Sequence, residues 1–96
     1  MELLDVVKKA VSALEDKKAE DIKVIDIHEV SSIADYFIIA SGNNQNQLQA
    51  MRDAVDEDLY KAGLKVKQVE GNHSSTWILM DYEDIIIHIF SKEDRL

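Results

Sequence analysis

Tyr36-Phe37-Ile38-Ile39-Ala40 runs directly into Ser41-Gly42-Asn43-Asn44, and the reading of the whole chain turns on this stretch. The apolar half is aromatic and β-branched, so Asp35–Ser41 is expected to be a strand, and its near-continuous hydrophobicity predicts cover on both faces. The polar half is a turn. Its Asn and Ser side chains can accept bonds from the orphan amides of a helix's first turn. A helix is therefore expected from Gln45 to Ala62. Within it Leu48, Met51, Val55, Leu59 and Ala62 fall on one face. Gly63 follows where a left-handed C-terminal cap is wanted.

On the N-terminal side, residues 2–18 show the same periodicity in Leu3, Val7, Val11 and Leu14, with Lys8, Lys9, Glu15, Asp16 and Lys17 largely elsewhere. Asp21–His28 is expected to be a strand, rich in Ile22, Val24, Ile25 and Ile27. On the C-terminal side, Leu64–Glu70 alternates Leu64 and Val66 with Lys65 and Lys67, the pattern of a short edge strand with one wet face. Ser75–Tyr82 and Ile85–Ser91 are two further strands, with Glu83-Asp84 between them as a hairpin turn. The order αββαβββ predicts an α/β (α+β) fold, a mixed five-stranded sheet with both helices packed on it. The expected core is Leu3, Val7, Val11, Leu14, Val24, Ile38, Ile39, Met51, Val55, Leu59, Ile78, Met80, Ile85, Ile87 and Ile89.

Ninety-six residues suit a single domain spanning 1–96. Hydrophobic residues make up 46% and charged residues 31%, which excludes a disordered acidic tail. Apolar runs such as Ile85-Ile86-Ile87 fall far short of the roughly 20 residues of a membrane span. The start, Met1-Glu2-Leu3-Leu4-Asp5, lacks a basic n-region, so no signal peptide is expected. Cysteine is absent, which removes disulfides, thiol nucleophiles and thiolate metal sites and matches a cytoplasmic setting. The formal net charge is −8. A nucleic-acid binder usually carries a basic footprint, so direct nucleic-acid binding is not expected. The charge suits a basic protein partner, or serves only solubility.

Little in the sequence points to catalysis. No serine sits in a Gly-X-Ser-X-Gly elbow. His28, His73 and His88 are far apart, with no His-Glu-X-X-His motif, and His28 and His88 read as sheet residues. Ser41-Gly42 lies between a strand and a helix, where an anion site and a simple capped turn are both open readings. The residues after it, Asn43-Asn44-Gln45-Asn46-Gln47, include no acid that could hold the metal ions of nucleotidyl transfer. No catalytic residue, metal ligand or cofactor is assigned.

The hairpin from Trp77 to Phe90 is the remaining candidate. It holds the only tryptophan, with Asp81, Tyr82, Glu83 and Asp84 grouped at its turn and His88 and Phe90 beyond. Aromatics framed by acids are suited to anchoring on a basic protein, since Trp and Tyr often dominate interface energetics. A core tryptophan and solvated turn acids are the alternative.

This hairpin resembles the signature of the ribosomal silencing factor family, also called RsfS or Iojap. Lys17-Lys18-Ala19-Glu20-Asp21-Ile22, Ala34-Asp35-Tyr36-Phe37-Ile38-Ile39-Ala40-Ser41-Gly42 and Val69-Glu70-Gly71 fit the same family in the same register. The resemblance implies a nucleotidyltransferase-like scaffold without its catalytic carboxylates. It implies a protein that binds the large ribosomal subunit through that subunit's fourteenth protein and blocks joining of the small subunit, repressing translation. Homodimers occur in the family. Carried over by position, the partner-binding residues are Trp77, Asp81, Tyr82, Asp84 and His88, with Asp35 and Tyr36 behind them. Asp81 and Asp84 either pair with partner cations or fix the turn through backbone amides.

Two departures stand out. Glu83 occupies a position where the family usually has glycine, so a positive φ there would strain it. The chain ends at Arg95-Leu96, before the aromatic-rich tail of many members. Two other readings stay open: a minimal nucleotidyltransferase using Ser41-Gly42 with Asp26, Asp81 and Asp84, and a dimeric adaptor for another basic protein.

Overall fold

The computed structural model describes residues 2–71 and 74–93. Its elements are α1 (Leu3–Asp16), β1 (Glu20–Asp26), β2 (Tyr36–Gly42), α2 (Gln45–Lys61), β3 (Gln68–Glu70), β4 (Trp77–Asp81) and β5 (Ile85–Ser91). The sheet order is β1-β2-β5-β4-β3. Only the central pair, β2 and β5, is parallel, running from Tyr36 opposite Ile85 to Gly42 opposite Ser91. The other pairs are antiparallel. The mixed five-stranded sheet and the αββαβββ order agree with the sequence expectation.

Both helices pack on one face of the sheet. α1 buries Val6, Val7, Ala10, Ala13 and Leu14, and α2 buries Leu48, Met51, Val55 and Leu59. The sheet meets them with Ile38, Ala40, Ile78, Met80, Ile85, Ile87 and Ile89. These alternate along β2, β4 and β5, as one face of a pleated strand must.

Four expected core positions differ. Leu3 and Val11 pack against the core but are only partly buried. Val24 pairs with Ile38 but lies on the edge strand β1, beyond the cover of the helices, and is exposed. Ile39 is half-buried on the opposite face. The apolar run of β2 is therefore not covered on both sides. Phe37 and Ile39 look away from both helices, and a hydropathy run cannot distinguish a strand buried twice from one that leaves apolar residues bare.

The turns show why the elements end where they do. Asn44 caps α2 through its side chain, which accepts from the Gln47 amide at 2.8 Å. Gln47 returns the bond, its Oε1 accepting from the Asn43 amide at 2.7 Å. Its Nε2 also donates to the carbonyls of Lys17 and Lys18, each at 3.0 Å, tying the start of α2 to the α1–β1 turn. At the other end Gly63, at φ +93°, and Leu64 donate to the Tyr60 and Leu59 carbonyls, a Schellman cap. Leu64 is thereby held to α2, and the strand expected over Leu64–Glu70 shortens to Gln68–Glu70. His28, expected in a strand, lies two residues past the end of β1 in a turn. His73 is outside the described residues.

Candidate protein-binding face

Among the described residues no element covers the sheet face turned away from the helices, and that face carries aromatic rings. Trp77 pairs with Phe90 across β4–β5, and Leu79 pairs with His88. The ring centroids of Trp77 and Phe90 are 6.4 Å apart, and those of His88 and Phe90 6.0 Å with planes 4° from parallel. His88 also meets Phe37 edge-on at 5.2 Å. These offset and edge contacts are favourable aromatic geometries. They link the rings into one cluster across β4, β5 and β2. Ile39 adjoins it opposite His88, and Ile86 sits opposite Phe37. Trp77 retains 36% of its surface exposed, so the lone tryptophan is not a core residue.

The face is flanked by carboxylates. Asp81, at the end of β4, pairs with Ile86 and Gln68 in the sheet. Its Oδ1 accepts from the Glu83 amide at 2.7 Å, so Asp81 fixes the turn, one of the two roles open for it. The turn brings Glu83 to φ +71°. A side chain in that region is strained, which is why glycine suits the position. Glu83 Oε1 lies 3.6 Å from Lys67 Nζ in an exposed pair. The carbonyl of Asp84 accepts from the amides of Asp35 and Tyr36 at 2.8 and 3.1 Å, joining the hairpin turn to the entry of β2.

The seven sequence-derived candidates therefore do not share one surface. Trp77, Asp81 and His88 lie on the open face. Tyr36 and Tyr82 pack on the helix side, partly buried against the core. The Tyr82 ring lines a pocket with Leu3, Val6, Leu64 and Ile85, and its hydroxyl is buried with no hydrogen-bond partner among the described residues. Burial, with the Asp56 carboxylate adding to it, pushes the Tyr82 phenol above its ordinary range. Tyr82 thus does not stand beside Trp77. The exposed Asp84 and the half-buried Asp35 sit at the end of the sheet. Phe37, Ile39, Leu79, Ile86 and Phe90 also lie on the open face and are not among the seven candidates. Period-two alternation separates them from the core set, but only once both helices are placed on one side.

Burial lowers the His88 pKa below its ordinary value, so the ring is neutral among its aromatic neighbours near pH 7. His28 is shifted the opposite way: a side-chain hydrogen bond to Asp26 and the charge of that carboxylate favour the imidazolium.

At the Ser41-Gly42 turn, the capping bonds of Asn44 and Gln47 engage amides that an anion would use. A Cβ on Gly42 would lie 2.8 Å from Leu48 Cδ2, so packing against α2 accounts for glycine there. Among the described residues no group of three His, Asp or Glu is placed to hold a metal ion, and no helix is long and apolar enough to cross a membrane.

The chain is a two-layer α+β domain with both helices on one face of the sheet and aromatic rings on the other. The family model described as "Ribosomal silencing factor during starvation" matches residues 1–96. The ribosomal silencing factor RsfS of Bacillus subtilis is 38% identical over 90 residues, covering 94% of this chain and 76% of its own length. A crystal structure from Chromobacterium violaceum superposes with a TM-score of 0.90 at 34% identity, covering 95% of this chain and 76% of that one. One from Bacillus halodurans gives 0.89 at 32% identity, covering 96% and 86%. The chain belongs to the RsfS family of ribosomal silencing factors.

Proposed function

We propose that the chain binds the large ribosomal subunit through that subunit's fourteenth protein, and that it blocks joining of the small subunit by occupying the space between them. The observation that carries this reading is the ring cluster of Trp77, His88, Phe90 and Phe37 on the face the helices leave bare. Partly exposed aromatics packed against one another have less side-chain freedom to lose on binding, and aromatic side chains are frequent hot spots. The second support is charge. A net −8 speeds encounter with a basic ribosomal protein and disfavours direct contact with RNA phosphates.

Trp77, His88 and Asp81 are the contact residues in this reading, with Asp84 and Asp35 at the border of the surface. Tyr82 and Tyr36 support the hairpin and β2 from behind. Repression is steric, so the action needs no chemical step and no cofactor. The protein works in the cytoplasm, where its target assembles. A homodimer, as occurs in the family, is the further association this reading includes.

Sucrose-gradient sedimentation of purified subunits with this protein tests the reading. The protein is expected to travel with the large subunit and to lower the fraction of joined ribosomes, and Trp77→Ala is expected to do neither while remaining folded. A wild-type protein that stays at the top of the gradient at moderate salt overturns it.

A further inference from the structure

The connection between β1 and β2, residues 27–35, holds the two most exposed large apolar side chains among the described residues. Val30 is 85% exposed and Ile33 76%. Single exposed apolar residues are ordinary. These two are held outward by a pinned backbone. The Ile27 amide donates to the Asp35 carbonyl at 2.8 Å, closing the loop at its base. The Val30 and Ser31 amides both donate to the Ile27 carbonyl, at 3.0 and 2.9 Å, and the Ile33 amide donates to Ser31 Oγ at 3.0 Å. Ala34 is buried, and the Asp35 amide is tied to Asp84 across the sheet end. A loop closed in this way cannot readily fold its apolar tips back onto its own core.

The surroundings select the kind of partner. Asp26, Glu29 and Asp35 lie on or beside the loop, and Glu83 and Asp84 stand in the turn tied to it. Two cations there face carboxylates, Lys67 opposite Glu83 and His28 between Asp26 and Glu29, while Lys23 stands further along β1 opposite Ile39. Phosphates and anionic lipid are repelled by such a border, whereas a basic protein is attracted. The loop is also continuous with the aromatic face. Ile25, exposed on β1, pairs with Phe37 in register, and Phe37 meets His88. The apolar path runs from Trp77 through His88, Phe37 and Ile25 to the base of the loop.

We propose that Val30 and Ile33 form a second anchor that inserts into an apolar recess of the same basic protein surface met by the aromatic face. This rests on the binding reading above and adds to it a contact that slows release. Rim charges govern encounter, while buried apolar anchors govern dissociation.

The test is the dissociation rate of the full chain from purified immobilised large subunits, for wild type, Val30→Ser/Ile33→Ser and Trp77→Ala. Both loop side chains are exposed, so the double variant is expected to melt with wild type. It is expected to dissociate about tenfold faster at unchanged association rate. If wild type binds and the double variant leaves at the wild-type rate, the second anchor is overturned and the aromatic face stands. If wild type does not bind, both fall. If the double substitution alters only self-association in sedimentation velocity, the loop meets a second copy of the chain, and the proposal is equally overturned.

Discussion

Trp77 and His88 stack with ring centroids 6.5 Å apart and planes 23° from parallel, on the side of the sheet that neither helix covers. The two belong to adjacent strands and are diagonal neighbours, since Trp77 pairs with Phe90 and His88 with Leu79. The contact therefore orients a partly exposed indole without removing it from solvent.

The first consequence separates binding from stability. Trp77→Ala should weaken association with the large subunit by at least about 2 kcal/mol, the scale of an interface hot spot. It should cost less stability than the roughly 3–5 kcal/mol of a core aromatic truncation, because Trp77 is 36% exposed. Titration against purified subunits and urea denaturation of the same variant check the two numbers. A large stability loss with unchanged binding would make Trp77 a structural residue.

His88 confers a pH dependence of definite sign. Its folded pKa lies below its unfolded value of about 6.5, so the unfolded chain takes up the proton first. The stability associated with a neutral His88 is fully present above pH 6.5 and is lost as pH falls through the lowered folded value. Thermal melts from pH 7.5 to 5 should fall less steeply for His88→Phe than for wild type. The same protonation places a cation on the open face, so affinity for a basic partner should weaken over the same window. His28 has the opposite sign, since its folded pKa is raised. Stability from its bond to Asp26 is present below about pH 6.5 and is lost as pH rises through the raised value. The His28→Asn melt isolates it.

Asp81 serves the turn, and two substitutions divide its roles. Asp81→Ala removes the acceptor for the Glu83 amide and should cost about 1 kcal/mol. Asp81→Asn keeps an oxygen there and should retain most of that stability. If Asp81→Asn nonetheless weakens subunit binding, the charge itself meets the partner. Equal binding would confine Asp81 to the turn.

Glu83→Gly should stabilise the protein. A side chain at φ +71° costs about 1–2 kcal/mol, and glycine removes that cost while adding some unfolded-state entropy. The net expectation is a gain of about 0.5–1 kcal/mol in urea denaturation, with only a small loss from the exposed Lys67 pair. A destabilised glycine variant would show that the strain is relieved elsewhere in the turn.

Gln47→Ala should cost roughly 1–2 kcal/mol, although Gln47 is not in the core. Its side chain bonds Asn43, Lys17 and Lys18 and so connects two turns that are distant in sequence. Hydrogen exchange of the α1–β1 turn should rise with it.

Most of the fold was legible in the chain. Leu48, Met51, Val55 and Leu59 announced α2 by spacing, and all four are buried. Gly63 announced its end and is the C′ residue of a Schellman cap. Ile85–Ser91 was expected as a strand with Ile85, Ile87 and Ile89 in the core, and all three are buried while Ile86, His88 and Phe90 between and beyond them are half-buried. Local periodicity and capping chemistry carry such information because they depend on residues within a few positions of each other. The candidate site was legible in part. The hairpin motif grouped Trp77, Asp81, Tyr82 and His88; the structure brings Trp77, Asp81 and His88 to the open face and packs Tyr82 on the opposite one.

Which face stays bare was decided by the tertiary structure alone. Nothing in Phe37, Ile39 or Phe90 distinguishes them from Ile38, Ala40 or Ile89 as residue types. The distinction arises because α1 and α2 pack together on the same side, so every second residue of β2, β4 and β5 meets a helix and its neighbours meet none. The elements, their order and their caps follow from short-range spacing along the chain. The choice of covered side follows from long-range packing of both helices on the sheet, and with it the aromatic character of the open face.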